Sequence, residues 1–324
     1  MLTIDRALLA RSAALRAIRG FFQDREFVEV DGSLLLPGVP PESFVDVFEV
    51  PVRKSDGSRE VQYLPPSPEG ALKRALAVLD VNVFEIGHAF RDGENEGLRH
   101  RAHFRMVEWY RLNAPLTAVM DDTEALLQAI STAVSTIPDV PEPPVDLTGS
   151  FERLTVSDAF QRYADVRLEN QTDLHRLPQI VRERGLADVD TWEDAFNILL
   201  TTAIEPHLGV ERPTFLTDYP AGLAPQARHR DDAPWISEQF EIWVRGEELG
   251  NSYSEVTDPD EQTRRFDHES KRFAARGGSA PRVDPRYLDA LKVLPDRVAG
   301  GSLGLDRTLM MLLGITDISG VRLG

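Results

Sequence analysis

The spacing of apolar residues predicts strands near both ends of the chain and helices between them. Apolar residues recur at helical spacing over 5–24, which predicts a first helix. Apolar and polar residues alternate at 27–30 and 44–50, and again at 83–91 and 104–112, where a long polar loop separates the two stretches. Alternation of this kind is typical of strands with one buried face.

Helices are predicted where start signals precede helical spacing. In "SPEGALKRALAVL" the N-cap is Ser67 and a proline follows at the first helical position. Further helices are predicted over 116–135 and 258–276, and much of 155–210 has helical spacing. The middle of the chain is therefore expected to be mainly helical.

Two strand-like stretches return late in the chain, at 237–244 and 247–256. Arg245 and Gly246 between them predict a hairpin turn. Early strands, central helices and late strands predict an α+β fold, a mostly antiparallel sheet flanked by helices. We expect one domain over 1–324, with 113–212 as a mainly helical insertion.

The composition excludes several functional classes. Of 324 residues, 42% are hydrophobic and none is cysteine, which excludes disulfides, thiol catalysis and cysteine-ligated zinc. Apolar runs are too short to span a membrane and the N-terminus lacks a signal-peptide pattern, so we expect a cytoplasmic protein. The formal net charge is −17, and basic residues form no extended face. A dedicated nucleic-acid-binding domain is therefore not expected.

The first candidate site is the early strand pair with its loop, 83–112. By strand alternation Glu108 and Tyr110 share a face with apolar residues, so a carboxylate is expected in an apolar row. Arg91 closes the first strand, where its side chain could reach over the sheet. The alternative is a solvated hairpin whose charges face water.

The second candidate site is the late hairpin, which carries Glu241 and Glu248 on opposite arms. In one register the two carboxylates would be neighbours, and such pairs repel, share a proton or bind a hard divalent cation. Asn251, Tyr253 and Glu255 alternate along the second arm. An exposed polar edge strand is the alternative.

The third candidate is "GGSLGLDR", 300–307. It lacks the Lys-Ser/Thr that ends a P-loop, so alone it is typical of a packing turn between a strand and a helix.

Together the three segments resemble the catalytic core of class II aminoacyl-tRNA synthetases. "FRDGE…RHRAHF" (90–104) resembles motif 2 and "GGSLGLDR" resembles motif 3. The lysyl branch is indicated by four segments: "SPEGALKR" (67–74), "FRMVEWY" (104–110), "ELGNSYSEVTD" (248–258) and "LGLDRTLMML" (303–312). "IEPHLG" (204–209) and "RPTFLTDYPA" (212–221) are most similar to the paralogues that ligate β-lysine to elongation factor P and lack an anticodon-binding domain.

The resemblance implies an ATP site. Arg91 would contact the α-phosphate and the substrate carboxylate, and Arg307 the γ-phosphate side of a bent ATP; these two are the expected catalytic residues. Glu241 and Glu248 would hold Mg²⁺ beside the phosphates. The other expected ATP-binding residues are Glu94, Arg99, His100 and Phe104, with Phe104 stacked on the base.

The resemblance also implies an amino-acid pocket. Its expected residues are Glu69 for an amino group, Glu108, Tyr110 and Glu255 for the distal ammonium, Asn251 near the carboxylate, Tyr253 along the stem, and Gly250. Gly250 matches lysyl-tRNA synthetases, whereas β-lysine ligases carry alanine there. The substrate is left open between α-lysine, β-lysine and another diamino acid.

The implied activity is adenylation of a lysine-like amino acid, followed by transfer to a lysine of elongation factor P. Class membership also implies a homodimer. Two alternatives remain: the same adenylation with another acceptor (a small molecule, a carrier protein or tRNA), and a non-catalytic paralogue acting as a regulator. Because the net charge is −17, we do not expect tRNA as the acceptor.

Overall fold

The chain, seen in a computed structural model that describes residues 2–94 and 97–323, divides into two compact units. Unit 1 comprises Met1–Pro144 and Ser254–Gly324, and unit 2 comprises Val145–Tyr253. Unit 1 is thus built from both ends of the chain, and unit 2 from one continuous segment.

The strands are, in chain order, β1 (Val28–Glu29), β2 (Glu49–Arg53), β3 (Arg59–Tyr63), β4 (Val83–Phe90), β5 (His103–Leu112), β6 (Glu152–Thr155), β7 (Thr214–Thr217), β8 (Gln239–Val244), β9 (Glu247–Ser254) and β10 (Val298–Gly304). The α-helices are α1 (Ile4–Gln23), α2 (Glu69–Leu79), α3 (Leu116–Ser135), α4 (Val156–Ala159), α5 (Gln171–Leu174), α6 (Leu177–Glu183), α7 (Trp192–Leu199), α8 (Pro259–Ala275), α9 (Pro285–Leu291) and α10 (Leu305–Leu313). In the described part of the chain, no helix is both long enough and apolar enough to cross a membrane.

Unit 1 contains four sheet strands in the order β1-β4-β5-β10. β1 runs parallel to β4, whereas β4 with β5 and β5 with β10 are antiparallel. β2 and β3 form a separate antiparallel ribbon. Helix α1 packs on α3, and α2 packs on α9.

Alternation along β5 sends neighbouring side chains to opposite faces of this sheet. Trp109 lies on the α1 side, where Phe22 of α1 stacks on Phe84 with ring centroids 4.5 Å apart. Tyr110 lies on the α2 side and packs with Leu72 and other apolar residues. The α2 side of the sheet is the side that carries the polar cluster described below.

Unit 2 contains strands in the order β9-β8-β7-β6, and only the β6–β7 pair among them is parallel. Helices α4 to α7 supply its core, in which Phe160 and Phe196 stack 4.8 Å apart. The α+β fold with mostly antiparallel strands, predicted from the order of elements, is confirmed.

Two local predictions need correction. The stretch 44–50 was predicted as one strand, but β2 begins only at Glu49. The preceding chain is tied to helix α8 instead: the backbone amide of Ser43 donates to Glu269, and Phe44 lies under the Arg272 guanidinium. Within 155–210 the helices are short and interrupted by π-helical turns at Phe160–Ala164 and Leu200–Ile204.

Candidate active site

Three buried carboxylates lie close together in unit 1. Glu69 is the first residue of α2, Glu108 lies on β5, and Glu255 directly follows β9. They are 4%, 4% and 1% exposed, respectively. Acidic side chains are almost never buried to this extent unless they are paired, so the cluster is a functional candidate.

Lys73 links two of these carboxylates. Its Nζ lies 2.6 Å from Glu69 Oε1 and 2.5 Å from Glu255 Oε2, and it donates to the Tyr287 hydroxyl at 2.7 Å. Tyr287 in turn donates to Glu69 Oε1 at 2.6 Å. Lys73 itself has no exposed surface. The result is a closed ionic network between α2, α9 and the segment after β9.

The local sequence explains how Glu69 and Lys73 come to share this network. Helix α2 starts at Glu69 with Pro68 as the N-cap residue, one residue later than the sequence predicts. Ser67 Oγ nevertheless accepts the backbone N–H of Glu69 at 3.2 Å, next to this start. Residues four apart in a helix lie on one face, so Lys73 points the same way as Glu69. The buried face of α2 is completed by Leu72 and Leu76.

Glu108 is held by its neighbour on β5. Tyr110 donates from its hydroxyl to Glu108 Oε1 at 2.6 Å. The backbone of Gly300 on β10 lies opposite Tyr110, and a Cβ at Gly300 would lie 2.3 Å from the Tyr110 ring and 2.8 Å from Glu255 Oε1. The absence of a side chain at Gly300 therefore allows Tyr110 and Glu255 to approach this strand closely.

Burial dominates the ionisation of the cluster. Desolvation raises the pKa of Glu108 well above its usual value, and the charge of Glu69 adds to this. Desolvation also raises the pKa of Glu255 to about 8, against the opposing effect of Lys73. Desolvation would lower the pKa of Lys73, but Glu255 and Glu69 outweigh it and raise that pKa. The cluster therefore keeps Lys73 as an ammonium, and a further ammonium beside Glu108 and Glu255 would favour their ionised forms.

Two oxygens of the cluster remain available to a ligand. Within the described residues, Glu108 Oε2 and Glu255 Oε1 are fully buried and have no hydrogen-bond partner. An unsatisfied buried acceptor costs about 1–3 kcal/mol, more if it is charged. A cationic donor placed between these oxygens would remove that cost.

Arg91 and Phe104 form a second group in unit 1, at the two ends of the loop that connects β4 and β5. The Arg91 guanidinium lies 5.2 Å from the centroid of the Phe104 ring and 3.7 Å from Glu94 Oε1. Its Nε donates to the backbone oxygen of Pro66 at 3.4 Å. An arginine and an aromatic ring that are both partly exposed could serve a phosphate and a base.

The loop and the start of α10 come together at Arg307. Its guanidinium lies 2.8 Å from His100 Nε2, which joins the segments resembling motif 2 and motif 3. Arg99 lies in the same exposed loop. Asp306, beside Arg307, points the other way and accepts from Arg11 and from the backbone of Arg105.

The remaining candidate residues lie in unit 2, on the β8–β9 hairpin. Its turn is formed by Arg245 and Gly246, both with positive φ, as predicted. Glu241 pairs with Asn251, but the register then shifts so that Trp243 pairs with Glu248. Leu249 is thus an extra residue, and this bulge turns Glu248 to the face that carries Glu241.

Glu241 is held in place by two donors. The Tyr219 hydroxyl and the Trp243 indole N–H both donate to Glu241 Oε2, the latter at 3.1 Å. Burial raises the pKa of Glu241 to about 8, and the charge of Glu248 contributes. Asn251 and Tyr253 lie on the same face by strand alternation, and Gly250 lies opposite Ile242.

The hairpin carries a pair of carboxylates rather than a complete set of metal ligands. Throughout residues 2–94 and 97–323 there is no group of three or more histidine, aspartate or glutamate side chains that could hold a metal ion. Mg²⁺ is commonly bound by one or two carboxylates together with substrate phosphates. The pair Glu241 and Glu248 fits that mode.

The structure therefore gathers the predicted residues into separate groups. Unit 1 contains Glu69, Arg91, Glu94, Arg99, His100, Phe104, Glu108, Tyr110, Glu255 and Arg307, and unit 2 holds Glu241, Glu248, Gly250, Asn251 and Tyr253. The roles assigned to them stay predictions. Sequence reasoning missed Lys73, Tyr287 and Tyr219. Lys73 could have been found from the sequence, because a lysine on the apolar face of α2 indicates a buried charge.

Comparison with known proteins identifies the family of the chain. The family profile described as tRNA synthetases class II (D, K and N) matches residues 3–323. The chain belongs to this class II synthetase family. Among curated relatives of this class II synthetase is one from Yersinia enterocolitica, named elongation factor P–(R)-β-lysine ligase. It is 33% identical, with 97% of this chain and 93% of the relative aligned. Proteins of the same name from Proteus mirabilis and Photorhabdus laumondii are 31% and 32% identical over the same shares of the chains.

Proposed function

We propose that this chain is an ATP- and Mg²⁺-dependent ligase that activates lysine or a close analogue as an adenylate. The acceptor of the acyl group is a lysine of elongation factor P. The family and the names of its relatives support this function, and the buried carboxylate cluster of unit 1 supports a cationic substrate.

The observation that carries the proposal is the pair of unsatisfied oxygens, Glu108 Oε2 and Glu255 Oε1. A buried pair of acidic oxygens discriminates strongly against a side chain without an ammonium, because those oxygens would stay unpaired. Tyr110 fixes the orientation of Glu108 through its hydroxyl. This arrangement is suited to the distal ammonium of lysine.

In the proposed reaction the substrate carboxylate attacks the α-phosphorus of ATP. A phosphorus–oxygen bond forms to the carboxylate, and the bond to pyrophosphate breaks. The acceptor amine then attacks the acyl carbon, an amide bond forms, AMP leaves, and the amine releases a proton. No side chain forms a covalent intermediate, so the protein contributes position and charge.

Side chains of the loop between β4 and β5 and of α10 would bind ATP and the substrate carboxylate. Arg91 would hold the α-phosphate and the substrate carboxylate, beside Phe104 as a stacking surface for the base. Arg307 would hold the distal phosphates, with His100 as its neighbour. The ATP site would also include Glu94 and Arg99.

Glu241 and Glu248 are the residues that would hold Mg²⁺. Bound there, the ion would offset negative charge on the phosphates. Tyr219 and Trp243 orient Glu241 by donating to one of its oxygens, which leaves the other for a ligand. Asn251 and Tyr253, on the same hairpin face, would contact the substrate carboxylate and stem.

Amino-acid-dependent exchange of pyrophosphate into ATP tests the first half of this proposal. We expect exchange with a diamino acid, and none with norleucine, which has the same number of carbon atoms as lysine but no distal ammonium. If a regulator were the true function, no amino acid would stimulate exchange. In that case the two phosphate-binding arginines and the carboxylate pair would have no role.

The acceptor is tested by mass spectrometry of elongation factor P after incubation with enzyme, ATP and substrate. We expect a mass increase of one acyl group on one lysine. Exchange without this increase would retain the adenylation and point to another acceptor, such as a small molecule, a carrier protein or tRNA.

A further inference from the structure

We propose, given the amino-acid pocket of the proposed function, that Lys73 is a positioning residue for that pocket. Its ammonium fixes the spacing of Glu69 and Glu255 and cancels one of three buried carboxylate charges. The pocket is thereby matched to a substrate with two ammonium groups.

Lys73 Nζ is surrounded by oxygens of the protein. It donates hydrogen bonds to Glu69 Oε1 at 2.6 Å and to the Tyr287 hydroxyl at 2.7 Å, and it forms an ion pair with Glu255 Oε2 at 2.5 Å. The rings of Tyr287 and Tyr110 lie 5.0 and 5.9 Å from it, so aromatic faces also surround the charge. A cation held this way does not compete for the substrate's groups, but it fixes the oxygens that would receive them.

The charges of the pocket do not balance without a ligand. Glu69, Glu108 and Glu255 are all nearly inaccessible to solvent, and the buried ammonium of Lys73 pairs with Glu69 and Glu255. Burial favours the protonated forms of Glu108 and Glu255, and if a ligand holds all three carboxylates ionised, two negative charges are left for it to compensate. A diamino acid supplies two ammonium groups, and its carboxylate is left for Arg91.

Several titratable groups face this pocket from the elements packed around it. They are Glu69 of α2, Glu108 and Tyr110 of β5, Glu255 after β9, and Tyr287 of α9, and the charge of Glu42 acts on Tyr287.

A purely structural role does not explain a lysine here. The neighbouring buried positions of α2 are Leu72 and Leu76, and an apolar residue at position 73 would avoid the desolvation of an ammonium. Buried ion pairs are often no more stabilising than apolar residues of similar volume. The cost of burying Lys73 is therefore better accounted for by its effect on the two carboxylates.

The main test is Lys73→Met, which removes the charge and keeps most of the volume. We expect the dissociation constant for the diamino acid that the wild type activates, measured by calorimetry, to rise at least about tenfold, while that for ATP stays close to wild type. The matched control is Arg111→Met. It breaks the 2.5 Å pair with Asp122 on the other face of β5, and should leave lysine binding unchanged.

The pH dependence of lysine binding separates positioning from stability. Lys73 lowers the pKa of Glu255, so the wild-type affinity should rise with pH up to about 8. In Lys73→Met the same rise should move to higher pH, by about one unit. A folded variant with a lower melting temperature but an unchanged dissociation constant and pH profile would show a structural role and overturn the proposal.

Tyr287→Phe is the gentler variant, should Lys73→Met fail to fold. It removes the hydroxyl that contacts both Lys73 and Glu69. We expect lysine binding to weaken about threefold to tenfold, with ATP binding unchanged. Tyr63→Phe is its control, because Tyr63 is also buried in unit 1 and its hydroxyl accepts from the backbone of Arg282. Equal lysine affinity in both tyrosine variants would contradict a role for this network.

Different results would contradict the proposed function and the role of Lys73. If the wild type bound no diamino acid, the proposed function and the role of Lys73 would fall together. If the wild type bound lysine and catalysed exchange while Lys73→Met and Tyr287→Phe matched it, only the role of Lys73 would fall.

Discussion

At the scale of single residues, the pocket is defined by what each buried oxygen contacts. One oxygen of Glu69 meets Lys73 and Tyr287, one oxygen of Glu255 meets Lys73, and one oxygen of Glu108 meets Tyr110. The free oxygens of Glu108 and Glu255 are left for a ligand. The family resemblance marked all three carboxylates and Tyr110, and strand alternation also marked Glu108, Tyr110 and Glu255. The sequence did not predict the contacts, since these depend on elements far apart in the chain.

Substrate affinity is predicted to depend on pH through Glu255. Its pKa of about 8 means that it is largely protonated at pH 6 and must lose that proton to pair with an ammonium. The KM for lysine should therefore fall as pH rises from 6 to 8, by at most about tenfold per unit. Steady-state exchange at fixed saturating ATP measures this.

Glu255→Gln is the control for this titration. It should raise the KM for lysine far more than the KM for ATP and should flatten the pH dependence. Equal losses for both substrates would refute the assigned role.

The close approach at Gly300 predicts a sharp effect of one methyl group. Gly300→Ala would place a Cβ 2.3 Å from the Tyr110 ring, so the variant should lose about 1–3 kcal/mol of stability and bind lysine weakly. Gly20→Ala in α1 is the control, since its Cβ would meet nothing within 4 Å. Thermal melts and lysine titrations compare them, and equal melting temperatures would contradict this packing.

Arg307 is predicted to act on ATP alone. Arg307→Ala should raise the ATP concentration needed for half-maximal exchange, with little change in the KM for lysine. Initial rates over a grid of both substrates separate these effects. An unchanged ATP requirement would count against the motif 3 assignment.

At the scale of elements, the hairpin turn could be predicted and the register could not. Arg245 and Gly246 marked the turn correctly, because a two-residue loop needs positive φ. The bulge at Leu249 decides which face Glu248 occupies, and a shift of one residue reverses that face. Local composition does not encode such a shift. The sequence therefore left two registers open, and Glu241 and Glu248 are neighbours in only one of them.

Tyr219 is predicted to set the metal requirement through this hairpin. Tyr219→Phe removes a donor to Glu241, so the Mg²⁺ concentration for half-maximal exchange should rise by about tenfold. Tyr163→Phe, whose ring stacks on His207 in the same unit, should leave it unchanged. The same Mg²⁺ requirement in the two variants would show that Tyr219 does not affect metal binding.

At the scale of the whole molecule, the order of elements was enough to predict the α+β class. It also predicted helices in the central segment, although their interruptions by π-helical turns were missed. Contacts between residues distant in sequence divide the chain into two units, and such contacts leave no local pattern. That the whole chain acts as one catalytic domain stays a prediction.

The most direct test of the central claim is pyrophosphate exchange by the purified wild-type protein across a panel of α-lysine, β-lysine, ornithine and norleucine. We expect strong exchange with at least one of the diamino acids and none with norleucine. Exchange that is absent with every diamino acid, or equal with norleucine, would contradict it.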